Sequence, residues 1–166
     1  YPAATINAKN QRTSMTYNYG NGQIKTLTDA NGSKEEYVYD PFGRFKTVKV
    51  SDTDSKDTLK TKAVYEYNDT SFPTSIAVKQ YDGLTSAEQV SYQYFDGFKR
   101  LIQSRTLSES SYAVKDLKYD EKGLLKQESV PYFDSGGSYK TAPWTTAKTT
   151  YVYDAFSRPL MVSFIK

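Results

Sequence analysis

The sequence of 166 residues contains no histidine and no cysteine. Their absence removes His–Cys zinc sites, the usual haem and iron–sulfur ligands, Ser-His-Asp and Cys-His catalysis, and disulfides. Oxygen-only ions such as calcium remain open. Lack of cysteine does not fix a compartment, because it suits the cytosol and many bacterial exported proteins alike. Excess charge of one sign is also missing. There are 22 Lys+Arg against 19 Asp+Glu, a net charge of +3 with both signs scattered, so polyanion binding is not implied. No run of about 18 apolar residues occurs, so no membrane span is expected. Tryptophan occurs once, and no long window carries a helical period. The chain begins Tyr-Pro rather than with Met, has no signal-peptide pattern, and reads as a piece of something longer.

What is abundant is aromatic. Within a hydrophobic fraction of only 37% there are 16 Tyr and 8 Phe, residues whose rings pack well on a pleated strand. They recur in a pattern. Tyr17-Asn-Tyr19-Gly-Asn-Gly22 is followed by Tyr37-Val-Tyr39-Asp40-Pro-Phe-Gly43-Arg44, Tyr65-Glu-Tyr67-Asn68 and Tyr92-Gln-Tyr94-Phe-Asp96-Gly97. The series closes with Leu117-Lys-Tyr119-Asp120-Glu-Lys-Gly123 and Tyr151-Val-Tyr153-Asp154-Ala-Phe-Ser157-Arg158. Successive second aromatics lie between 20 residues apart (Tyr19 to Tyr39) and 34 apart (Tyr119 to Tyr153), so the unit is regular and its connectors vary. The units lie near 17–32, 37–50, 65–80, 92–107, 117–130 and 151–165, in one module over 1–166, with a long loop at 131–146.

Each unit has a physical reading. Tyr-x-Tyr puts two rings on one face of a strand, because side chains alternate with period two. This assigns packing roles to Tyr19, Tyr39, Tyr67, Tyr94, Tyr119 and Tyr153. Asp-x-x-Gly then makes the turn: the carboxylate accepts amides two residues on and Gly takes a positive φ. Asp40, Gly43, Asp120, Gly123 and Asp154 are the turn residues on this reading, a type I turn followed by a left-handed residue. Apolar return strands follow, for example Phe45, Val48 and Val50. Ser71, Lys99 and Ser157 stand where Gly is expected, which predicts looser turns or turns of another type there. Asp29-Ala-Asn31-Gly32 and Tyr81-Asp82-Gly83 punctuate between units. The expected fold is all-β: about a dozen short strands in an antiparallel meander of consecutive hairpins, forming an open curved or spiralling sheet.

Tyr-x-Tyr-Asp-x-x-Gly-Arg resembles the tyrosine–aspartate (YD) repeat of Rhs proteins, with related repeats in teneurins and in the B and C components of bacterial insecticidal toxin complexes. Tyr37 to Arg44 carries the motif most fully, and Tyr94 to Gln103 with Val130 to Phe133 looks like the toxin-complex B branch. The resemblance covers about Tyr17 to Phe164. It implies a sheet that spirals into a hollow shell around a C-terminal toxic polypeptide in the bacterial proteins, and an extracellular adhesion role in teneurins. On this resemblance the chain is a non-catalytic shell segment of a secreted or bacterial cell-surface protein. Its partners are the neighbouring repeats and the enclosed C-terminal polypeptide of the parent chain. Family members also release that segment through paired Asp-Pro-type motifs. Asp40-Pro stands alone in the first third with repeats beyond it, so Asp40 reads as a turn residue rather than a protease acid.

Other readings compete with the structural one. The Tyr stripe could stack sugars or unstacked bases, but it recurs in every unit whereas a binding site needs only a local cluster. Lys99-Arg100 with Arg105 reads as a solvated face, and no nucleic-acid partner is expected. Asp52-Thr-Asp54-Ser-Lys56-Asp57 fails the EF-hand pattern, because Lys56 and Asp57 occupy its fifth and sixth positions. Glu35 and Glu36 are adjacent in a strand and point to opposite faces. Trp144 reads as an anchor that packs the 131–146 loop. As a ligand contact it would instead mark an adhesin or carbohydrate-binding module. No catalytic residue, metal site or cofactor is assigned. A piece of a continuous sheet exposes two strand edges, so an edge-paired or strand-swapped homodimer is expected.

Overall fold

The computed structural model describes residues 1–52, 54–82, 89–145 and 147–165. The strands are β1 (Ala4–Ile6), β2 (Arg12–Tyr17), β3 (Ile24–Thr28), β4 (Lys34–Tyr39), β5 (Phe45–Ser51), β6 (Leu59–Asn68) and β7 (Thr74–Gln80). They continue as β8 (Gln89–Phe95), β9 (Leu101–Ser108), β10 (Ser111–Tyr119), β11 (Leu125–Ser129), β12 (Tyr132–Asp134), β13 (Lys148–Tyr153) and β14 (Pro159–Ile165). No helix occurs among the described residues, and none is long and apolar enough to cross a membrane. Hydrogen-bonded neighbours follow chain order, except that β13 follows β11 and β12 pairs with β10. The fold is an all-β antiparallel hairpin meander, open because β1 has only β2 as neighbour and β14 only β13. The two strands beyond the expected dozen are β1 and β12, each three residues long; β12 lies in the segment expected to be an irregular loop.

The chain divides into two compact units, Tyr1–Glu66 with Val78–Glu88 and Tyr67–Ala77 with Gln89–Lys166. In the first, β4 and β5 place Tyr37 opposite Val48 and Tyr39 opposite Phe45, while β6 adds Ala63 opposite Val48. This is one ring-bearing face, on which Phe45 packs against Tyr39 at 5.2 Å, Tyr37 at 5.7 Å and Tyr65 at 6.2 Å. In the second unit, residues 135–141 cross one face of β8–β10. The side chains beneath include buried Val114 and Tyr94 and the polar Gln103, Arg105 and Asp116. Few side chains are fully buried in either unit, as befits sheets with little second layer.

The turns explain the repeat. Six among the described residues share one geometry: Asn7–Gln11, Asp29–Ser33, Asp40–Arg44, Asp96–Arg100, Asp120–Leu124 and Asp154–Arg158. In each, one side-chain oxygen of the leading Asx accepts the amides two and four residues on, at 2.8–3.0 Å. The fourth residue is left-handed, with φ between 62° and 83°. This corrects one expectation: Lys99 (φ 62°) and Ser157 (φ 64°) adopt the same turn as Gly43 (φ 78°). The Asx hydrogen bonds and the flanking ladder outweigh the roughly 1–2 kcal/mol that a left-handed residue costs. Ser71 belongs to a different turn. There Asn68 accepts from Thr70 and Ser71, and a cis Phe72–Pro73 bond leads into β7. Gly83, of the expected Tyr81-Asp82-Gly83 turn, lies outside the described residues.

A bulge follows the turns led by Asn18, Asp40, Asp96, Asp120 and Asp154, whereas the ladders beside Asn7–Gln11 and Asp29–Ser33 run without one. Five return strands carry one residue with no partner opposite: Lys25, Lys46, Ile102, Lys126 and Leu160. Such insertions increase local twist. Gly43→Val should break the Asp40 turn, because a β-branched residue resists φ near 78°. We expect a loss of roughly 1–2 kcal/mol, or several degrees of melting temperature by circular dichroism; an unchanged melting curve would refute the turn assignment.

Candidate functional site

The repeated tyrosine does more than pack. Tyr39 donates its hydroxyl to the carbonyl of Ile24 (2.8 Å), Tyr119 to Leu101 (2.9 Å) and Tyr153 to Leu125 (2.9 Å). Each acceptor is the first residue of the neighbouring strand on the N-terminal side of the sheet, immediately after the preceding turn on that side. Each hydroxyl therefore stitches its own hairpin to the one before. The first unit departs from expectation. Tyr19 lies beyond β2 and is fully exposed. Tyr17 holds the equivalent place: it bonds the carbonyl of Pro2 at 2.9 Å, and Asn18 leads the turn. Pairing the rings, rather than counting back from the Asx, puts the register two residues late. Tyr67 is half-buried at the end of β6.

Tyr94 packs as expected and is buried, but on the other face of the sheet. In this unit Phe95 stands between the ring pair and Asp96, so Phe95 takes the stitch position, opposite Leu101. One extra residue moves Tyr92 and Tyr94 to the other face, as a one-residue slip must. There they meet the 131–145 segment. Tyr94 donates to the Gly137 carbonyl (2.5 Å) and packs on Tyr139. A Cβ at Gly137 would collide with the Tyr92 ring, so only glycine permits this approach.

Under the same segment lies a buried polar network. Arg105, expected on a solvated face, is 0% exposed. It pairs with Asp134 and donates to the Gly136 carbonyl and to Gln103 Oε1, both at 3.1 Å. Gln103 Nε2 bonds Asp116 (2.6 Å) and the Lys140 carbonyl (2.7 Å), while Tyr132 donates to Asp116 at 2.8 Å. Lys140 and Arg105 hold the Asp134 carboxyl far below the usual range. Burial and then Asp116 push the Tyr132 phenol up. Removing one member of such a buried pair strands a charge, at a cost of roughly 3–5 kcal/mol. Nothing in the sequence marked Arg105 apart from other basic residues; its burial depends on a segment about thirty residues downstream. Trp144 is half-buried, with the Lys118 ammonium 6.0 Å from its ring centre and Lys148 donating to its carbonyl. It borders a cavity of about 220 Å³ together with Tyr139 and Arg100.

Three turns add Phe and Arg to the Asx geometry: Asp40-Pro-Phe42-Gly-Arg44, Asp96-Gly-Phe98-Lys-Arg100 and Asp154-Ala-Phe156-Ser-Arg158. Each Arg Nε meets the second carboxylate oxygen at 2.6–2.7 Å and lies over the Phe ring at 5.1–5.4 Å. Partial burial raises the Asp40 and Asp96 carboxyls, but the turn amides and the guanidinium outweigh it and hold both below their ordinary value. For Asp154 the Arg158 amide is the main cause of the same lowering. Asp120 has Leu124 at the Arg position, and its carboxylate accepts the Lys122 and Leu124 amides.

The remaining candidates are also occupied. Glu35 accepts from Tyr37, whereas Glu36 pairs with Lys49 at 3.0 Å on the other face. Asp52 pairs with Lys60 and Asp57 with Lys34; Thr53 of that loop lies outside the described residues. Lys99 is exposed and lies 3.7 Å from Asp69. Among the described residues no group of three His, Cys, Asp or Glu side chains is placed to hold a metal. The arrangement is chemically one of clamps, in which carboxylates, amides and hydroxyls satisfy one another.

These features define a class: consecutive antiparallel hairpins closed by Asx-led turns, several of them tied to the hairpin before by a tyrosine hydroxyl. No family model matches the chain, and no curated protein matches it. Solved structures do. The crystal structure of TcdB2-TccC3 aligns with 96% of this chain at a TM-score of 0.79 and 19% identity. TcdB2-TccC3 without its hypervariable C-terminal region aligns over 96% at 0.79 and 16%, and TcdB2-TccC3-Cdc42 over 96% at 0.77 and 16%. This chain spans 11–13% of the length of those chains. At such identities the likeness is one of fold.

Two outcomes follow from the stitches and the ring face. Phe95→Tyr should supply the missing hydroxyl, directed at the carbonyl of Thr74, the first residue of β7. One net hydrogen bond is worth about 0.5–1.5 kcal/mol, a rise in melting temperature of about 2–4 °C; no rise would mean that this seam cannot accept the stitch. Burial first, and then the Glu35 carboxylate, push the Tyr37 phenol up to about 12. Raised above its unfolded value of 10.0, this group contributes stability that is complete below pH 10 and lost as pH climbs through about 12. Denaturant titrations across that window should fall for the wild type and fall less steeply for Tyr37→Phe, the remainder coming from the other tyrosines that burial raises, such as Tyr39 and Tyr119.

Proposed function

We propose that this chain is a non-catalytic wall segment of a β-sheet shell that encloses a C-terminal toxic polypeptide, within a secreted toxin-complex-like protein of the YD-repeat type. The observation that carries the reading is the hairpin meander over 96% of the chain in common with TcdB2-TccC3, on a segment about one-ninth of that chain's length. The stitches support it. A wall must hold its hairpins edge to edge without a thick core, and Tyr39, Tyr119 and Tyr153 tie each hairpin to the previous one through backbone carbonyls. The saturated clamps support a structural role over a chemical one. The adhesin alternative draws no comparable support, since Trp144 is half-buried beside Lys118.

The test is limited proteolysis of the full-length parent protein, read by mass spectrometry, before and after mild denaturant. A downstream segment that survives until the sheet opens is the expected result. Cleavage of every downstream segment in the native state would sink the enclosure reading.

A further inference from the structure

Residues 131–145 are an excursion from a hairpin that is already closed beneath them. Ser129 pairs with Lys148, and the Val130 amide donates to the Ala147 carbonyl at 2.9 Å, so β11 and β13 meet without the segment's help. The excursion first adds β12 to the part of the β10 edge that β11 leaves free. Tyr132–Asp134 pair with Tyr112–Val114, whereas β11 pairs with Leu117–Tyr119. It then turns back across the face of β8–β10, where each fully buried polar side chain finds a partner on it. Arg105 meets the Asp134 carboxylate and the Gly136 carbonyl, Gln103 meets the Lys140 carbonyl and amide, and Asp116 meets the Tyr132 hydroxyl. The segment's Phe133 is 70% exposed rather than used as an anchor. Buried charge contributes little net stability but penalises a misplaced partner heavily. This face is therefore built to select the segment above it, not simply to be covered.

We propose that the β8–β10 face is a peptide-recognition surface and that residues 131–145 are its ligand, bound in cis. The recognised pattern is an extended peptide with a carboxylate three residues before a glycine. Asp134 answers Arg105, and Gly137 fits beside the Tyr92 ring, where a Cβ would collide. The mode is β-augmentation, in which main-chain pairing supplies affinity and side-chain sites supply specificity. The ligand's backbone takes much of the contact, because the carbonyls of Gly136, Gly137 and Lys140 accept from Arg105, Tyr94 and Gln103. Tethering keeps the site filled, since a short connector gives a cis segment an effective concentration on the order of millimolar. A peptide of the same pattern on another chain gains the site once the cis segment is removed. The inference is separate from the enclosure reading, because the face and its ligand lie within one compact unit.

The test exchanges residues 131–146 for Asn-Gly, a two-residue hairpin link suited to the Val130–Ala147 pair, and supplies a synthetic peptide of residues 131–145 in solution. Trp144 is the only tryptophan, so the peptide carries the one indole in the mixture and its fluorescence anisotropy reports binding directly. The shortened chain should bind the peptide saturably. Peptides with Asp134→Ala or Gly137→Val should bind at least tenfold more weakly. Calorimetry with the intact chain should show no binding at concentrations that saturate the shortened one. If the shortened chain loses its sheet by circular dichroism, recovery on adding the peptide supports the proposal and no recovery overturns it. A folded shortened chain that ignores the peptide, or that binds all three peptides equally, also overturns it, as does equal binding by the intact chain.

Discussion

In six turns one carboxylate or carboxamide oxygen accepts two backbone amides, and much of the fold is organised around it. It fixes the left-handed residue, which sets the first pair of the ladder; after Asp40, Asp96, Asp120 and Asp154 a bulge lies beyond that pair. The bulge and pair then place the preceding tyrosine where its hydroxyl reaches the previous hairpin. The constraint is strong enough to hold Lys99 and Ser157 in a conformation that side chains usually avoid.

This hierarchy explains what could be read from the residues. The hairpin meander was legible because Asp, Gly and alternating rings are each demanded by local geometry. The misplacement of Tyr19 and the unexpected face of Tyr94 come from aligning the rings, which are the consequence, instead of the Asx, which is the cause. Counting back one residue from Asn18 and Asp96 reaches Tyr17 and Phe95 and resolves both. Arg105 was illegible for another reason. Its environment is built by Asp134, Ser135 and Gly136, remote in sequence, and no local pattern distinguishes a basic residue that will be covered from one that will not.

The two faces of the second unit are held in different ways. The face of Tyr119 and Tyr153 uses hydroxyl–carbonyl bonds between neighbours, together with a partly exposed ion pair, Lys115–Glu128, to which Tyr151 also donates. The opposite face uses charge, with Arg105 and Lys140 converging on Asp134. Buried ion pairs contribute little net stability compared with apolar packing, but they penalise every misplacement. The covering segment is thereby fixed in one register on β8–β10 although it has little regular structure of its own.

Because each tyrosine hydroxyl reaches back only one hairpin, the coupling that the stitches carry is nearest-neighbour. Arrays of this kind obey one-dimensional statistics, with a free energy that sums unit and junction terms. Lengthening a connector changes a unit term and leaves the junctions intact, which is why spacings of 22 residues (Tyr17 to Tyr39) and 34 residues (Tyr119 to Tyr153) coexist in one regular sheet. The Phe95 junction, which lacks the hydroxyl, is the natural boundary at which such an array would divide into separately melting blocks.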